Sequence, residues 1–104
     1  MSLDFKLKME IPTLYTRNIT HNLTDMAYAA GIYQALWRGG QYEKAEDIIQ
    51  ILEDGLHKLK LHPEKYKKYD SPNGWGKYEH FVPFVEDVLN ACKKYPLAVI
   101  ESDV

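Results

Sequence analysis

A single cysteine, Cys92, stands in the 104-residue sequence. It cannot staple the fold to itself, and alone it cannot build a thiolate zinc site. Its place on the apolar side of a helical pattern marks it as a buried, inert thiol rather than a nucleophile. No apolar run approaches the roughly 18 residues that a membrane span requires. The N-terminal stretch has no apolar core of the signal-peptide kind. With disulfides also excluded, the expectation is a cytoplasmic protein with no membrane association. Neither charge dominates: the net charge is -2. A protein that grips nucleic acid by neutralising phosphates is usually basic, so nucleic acid is a disfavoured partner. There is no phosphate-binding glycine loop, no G-x-S-x-G and no H-E-x-x-H.

What remains is the composition of an ordinary globular domain, 45% hydrophobic and 27% charged. The whole chain, 1–104, reads as a single domain. At this length it buries roughly two-thirds of the surface its unfolded form exposes. Eight tyrosines and two tryptophans are many for the size. Their amphipathic rings suit the border of a small core or a contact surface.

The first clear pattern is strict alternation. Phe5, Leu7, Met9 and Ile11 are apolar, with Asp4, Lys6, Lys8 and Glu10 between them. Period two predicts a strand with one wet face, ended by Pro12. Thr13 to Asn22 reads as a connection. A helix follows, capped by Asn22 or, starting earlier, by Thr20 or Asn18. Its stripe is Leu23, Met26, Ala27, Ala30, Tyr33 and Trp37, and Gly39-Gly40 ends it. A second helix is expected from about Tyr42 to Leu61, with Gly55 marking a close packing contact. Pro63 opens a short helical turn through Tyr69. Ser71-Pro72-Asn73-Gly74 fits a type I turn. The third helix spans about Lys77 to Tyr95, either starting near Val82 or kinked before Pro83. Leu97 to Glu101 reads as a second strand. The expected fold is α+β, with three main helices packed on a two-stranded sheet formed by the N- and C-terminal strands. An exposed Phe5-Leu7-Met9-Ile11 edge would favour a homodimer.

The densest polar cluster is Asn18-Ile19-Thr20-His21-Asn22-Leu23-Thr24-Asp25. Its two glycosylation-type triplets are discounted without a secretory signal. His21 near a helix start could bind an anion with the helix-end amides, or act as a base with Asp25 orienting it. Plain capping, with His21 packed toward Met26, explains the same residues. Asn73-Gly74-Trp75-Gly76 offers Trp75 either as a platform in a ligand cleft or as a plug for one end of the core. Arg38, after Trp37, could reach an anion or cover helix carbonyls. The histidines His21, His57, His62 and His80 form no i, i+4 pair, so spacing indicates no metal, and no cofactor is expected. Lys58, Lys60, Lys65, Lys67 and Lys68, with Tyr66 and Tyr69, are a basic and aromatic stretch that single-stranded nucleic acid could use. They also read as a solvated helix end.

The blocks Asn18-Ile19-Thr20-His21-Asn22-Leu23, Ala35-Leu36-Trp37-Arg38 and Asn73-Gly74-Trp75-Gly76 with Tyr78 and Phe81 resemble a family of small uncharacterised proteins of bacterial and bacteriophage genomes. The likeness runs from Asn18 onward and takes in the segment from Ala91 to Pro96. Gly39-Gly40 departs from it, standing where proline and acidic residues are expected. The resemblance implies no activity, only a phage- or mobile-element-associated accessory role.

These features lead to three functional expectations. One is a non-catalytic binding module whose protein partner or small ligand meets Asn18, His21, Asn22, Trp37, Arg38, Asn73 and Trp75. Another is a small-molecule- or anion-binding protein or minor enzyme, with His21, Asp25, Arg38 and the Trp75 loop converging on one cleft. The last is a nucleic-acid accessory protein using Lys58 to Lys68. An enzyme is the less favoured class.

Overall fold

The alternating N-terminal segment forms the middle of the sheet, not an edge. The computed structural model describes residues 2–9 and 13–104, so Glu10, Ile11 and Pro12, and the expected strand end there, lie outside the described residues. Strand β1 (Ser2–Lys8) pairs antiparallel with β2 (Thr13–Thr20) on one side and β3 (Val99–Asp103) on the other. The sheet is three-stranded, in the order β2-β1-β3. Its inward row, Leu3, Phe5 and Leu7, is fully buried, as period two demands. Met9 breaks the row and is exposed beyond the strand.

Two expectations are corrected. The sheet has three strands rather than two, because Thr13 to Thr20 is a strand and not a connection. The long first helix is two short ones separated by a turn. A 3-10 turn (His21–Leu23) leads into α1 (Thr24–Ala29), and α2 (Tyr33–Trp37) follows. Gly31, at φ +78°, ends α1. The Ile32 N–H bonds the Ala27 carbonyl at 2.9 Å and the Gly31 N–H bonds that of Tyr28 at 3.0 Å, a Schellman ending that turns the chain.

A second 3-10 turn (Gly39–Gln41) precedes α3 (Glu46–Leu61), which starts later than its pattern suggested. A short α4 (Pro63–Lys67) and α5 (Tyr78–Lys94) complete the helical layer. Helix α5 begins before Pro83, with that proline inside it. The Asp70 carboxylate accepts from the Tyr78 N–H at 2.6 Å and so caps its start. The core lies between the inward row of the sheet and the apolar faces of α3 and α5, and Tyr66, Phe81, Phe84 and Cys92 are buried in it. No helix among the described residues is long and apolar enough to cross a membrane.

Candidate functional site

The turn His21–Leu23 divides the polar cluster between two clefts. Thr20 caps this turn, its hydroxyl accepting from the Asn22 N–H at 3.3 Å. Leu23 is buried beneath it, while His21 and Asn22 serve different sides.

On the His21 side lies a cleft of about 760 Å³, lined among others by His21, Thr24, Tyr33, Trp37, Arg38 and Ser102. Trp37 is 3% exposed, so it is a core residue and not a contact residue. Its indole N–H donates to His21 Nδ1 at 2.7 Å. An accepting Nδ1 in a neutral imidazole places the proton on Nε2. The group that orients His21 is therefore Trp37. Asp25, expected in that role, instead lines a third, smaller depression with Lys68, Tyr69 and Asp70, which His21 also borders. The Tyr33 ring is stacked with Tyr28, the centroids 3.9 Å apart, and with Trp37, at 5.7 Å. Desolvation first, then Tyr33, pushes the Tyr28 phenol above its ordinary value, and the positive charge of Arg38 pulls it back. Ser102 ties β3 to the end of α2, donating to the Leu36 carbonyl at 2.7 Å and accepting from the Gly39 N–H at 3.1 Å.

On the Asn22 side a cleft of about 570 Å³ is lined by Asn18, Thr20, Asn22, Asn73, Trp75 and His80, among others. Its loop is fixed by many short bonds. The Ser71 carbonyl accepts from the Gly74 N–H at 3.1 Å, closing the expected turn, and the Gly76 carbonyl accepts from the Ser71 N–H at 3.0 Å. Asn73 Oδ1 accepts from the Ser71 hydroxyl at 2.6 Å and the Trp75 N–H at 2.9 Å. Asn22 Nδ2 donates to the Trp75 carbonyl at 2.8 Å, joining loop to turn. Gly76, at φ +102°, lets the loop close down: a Cβ there would stand 3.0 Å from both Asn22 Cβ and Thr20 Cγ2. The indole of Trp75 itself is 72% exposed. Asn18, on the solvent face of β2, donates to Asp4 at 2.6 Å and to Ser2 at 2.9 Å.

The fold thus brings Asn18, Asn22, Asn73 and Trp75 together, and separately His21, Trp37 and Arg38. The single cleft shared by His21, Arg38 and the Trp75 loop does not form. The sequence placed Tyr33 on a core stripe, Thr24 in the polar cluster and His80 among histidines with no metal spacing, and singled out none of them, nor Ser102, as a binding residue. The spacing of Tyr33 one turn before Trp37 could have shown the first, whereas Ser102 arrives only through strand pairing. In the basic stretch, Tyr66 is 1% exposed and cannot stack with a base. Lys60 and Lys67 there have carboxylate partners in Glu86 and Glu64. Among the described residues, no group of three or more His, Cys, Asp or Glu side chains could hold a metal ion.

The chain matches no protein-family model, no curated protein and no solved structure.

Proposed function

We propose that this chain is a non-catalytic binding module that docks a peptide segment of a protein partner on the Trp75 cleft. The observation that carries this reading is the exposed Trp75 indole on a loop whose backbone is held at both ends. An anchor whose backbone is already fixed loses less entropy on binding, and tryptophan is enriched among the dominant residues of interfaces. The asparagines around it supply the polar rim. Asn18 Nδ2 makes two internal bonds and Asn22 Nδ2 one, which leaves both amide oxygens, and one N–H of Asn22, for the polar groups of an incoming backbone. A docking role also suits the phage- or mobile-element-associated accessory protein that the resemblance implies.

The test is selection of a displayed random-peptide library on the immobilised chain, followed by affinities for wild type and Trp75→Ala. Exposure of the indole means that the variant keeps its fold. Selected peptides should lose roughly thirty-fold in affinity, the loss of a hot-spot residue. Recovery of no binders, or of binders indifferent to the substitution, would sink the proposal.

A further inference from the structure

We infer that the cleft beside His21 is a second site, built for a small oxyanion, carboxylate or phosphate, carried on a compact apolar body. It lies on the opposite side of the 3-10 turn from Trp75 and does not depend on the peptide reading. Its volume, about 760 Å³, falls within the range of small-molecule sites.

The charge of the lining gives the sign of the ligand. Arg38 is exposed, and among the described residues no carboxylate pairs with it. No acidic side chain lines the cleft. Glu101 and Asp103 flank Ser102 in sequence, but strand alternation turns them to the other face of the sheet, where Lys6 and Lys8 hold them. The terminal Val104 also lines the cleft, but its carboxylate makes no ion pair with Arg38 among the described residues, so the guanidinium is left to meet an incoming anion.

The hydrogen-bonding groups agree. With Nδ1 engaged by Trp37, the remaining nitrogen of His21 is a donor, and Thr24 adds a hydroxyl. An N–H donor and a guanidinium together suit an oxyanion.

The aromatic groups disfavour the opposite ligand. A cation would seek an open aromatic face. Tyr33 is already stacked with Tyr28 and with Trp37, and Trp37 is buried. Tyr33 lines the cleft beside Arg38 and supplies apolar surface for the ligand body.

The experiment uses Trp75→Phe, so that fluorescence reports Trp37 alone. This protein is titrated with benzoate, with phenyl phosphate and, as the charge-reversed control, with benzylammonium. Benzoate or phenyl phosphate should give a saturable change and benzylammonium none; which of the two anions binds more tightly identifies the oxyanion. Adding Arg38→Gln, an exposed substitution that leaves the core untouched, should weaken binding roughly ten-fold or more, as loss of a charge-assisted hydrogen bond does. Circular dichroism checks that the variant is folded. The inference is overturned by no saturable response to either anion up to about 10 mM, by an equal response to benzylammonium, or by an affinity unchanged in folded Arg38→Gln.

Discussion

Gly55 sits in the interior of α3, where glycine is a poor helix former. In an isolated helix, alanine there would gain about 1 kcal/mol. Here an added Cβ would lie 2.2 Å from Ile32 Cγ2 and 3.2 Å from the Ala30 carbonyl oxygen. Ile32 is fully buried and its methyl has no room to retreat. The sign of the substitution therefore reverses: Gly55→Ala should destabilise the protein by about 1–3 kcal/mol, the ordinary cost of overpacking. A urea unfolding curve measures it, and a stabilised variant would show that α3 and the Ala30–Ile32 turn can separate freely. The sequence alone flagged Gly55 as a close contact, because an unexplained glycine in a helix usually has a packing reason. It could not name Ile32, which comes from a different element. The Trp75 loop was legible for the same kind of reason, since Pro72 and Gly74 encode their turn locally. The Trp37–His21 bond was not legible, because it spans sixteen residues and depends on how α2 crosses the turn.

At the scale of elements, β2 is what the sequence hid. Leu14 and Tyr15 are adjacent, Arg17 falls on the inward row opposite Phe5, and Thr16, Asn18 and Thr20 are polar, so no period-two pattern survives. Strand pairing with β1 decides its structure, as tertiary context commonly does. The first helix was misread for a simpler reason: its apolar stripe continues through Gly31, whose Schellman turn breaks the helix while keeping the residues after it on the core. The seam between β2 and α5 leads to a further prediction. Desolvation, with Asp87 close by, pushes the Tyr15 phenol up to about 12, and burial pushes the Cys92 thiol up to about 12. Both groups hold their protons longer in the folded chain than in the unfolded one, where the ordinary values are 10.0 and 9.0. The folded state binds more protons in that window, so stability is full below about pH 9 and declines as pH rises toward about 12. Urea midpoints measured from about pH 8 to about pH 11 should fall, and the double variant Tyr15→Phe, Cys92→Ala should flatten the decline. An identical decline in the double variant would mean that the seam does not govern alkaline unfolding.

For the molecule as a whole, strand order decides which surface could meet a second copy. A homodimer through Phe5, Leu7 and Met9 requires β1 at an edge, and β1 is central, with Phe5 and Leu7 fully buried. On the far side of β3 packs the 3-10 turn Gly39–Gln41, Gly39 bonding the Ser102 hydroxyl, and the residues just before β3 are tied to the start of α3, the Ala45 and Glu46 N–H groups donating to the Ala98 and Pro96 carbonyls at 2.8 Å each. The solvent face of the sheet is laced with charge, Lys6 to Asp103 at 2.8 Å and Lys8 to Glu101 at 2.6 Å. That leaves β2, the terminal strand of the sheet on its other side. Arg17 stands on its inward row and reaches past the core to Asp87 on α5. A charge that points inward from an edge strand is a common device against edge-to-edge pairing, because a strand added alongside would have to bury it. The chain should therefore sediment as a 12.1 kDa monomer. Arg17→Val, which keeps a strand-forming side chain but removes the charge, should make the mass rise with concentration. It leaves Asp87 half exposed to water, so loss of the ion pair costs little stability. A wild-type dimer would show that β2 is an interface rather than a guarded edge. A monomeric Arg17→Val would place the protection in the outward row of Thr16, Asn18 and Thr20 instead.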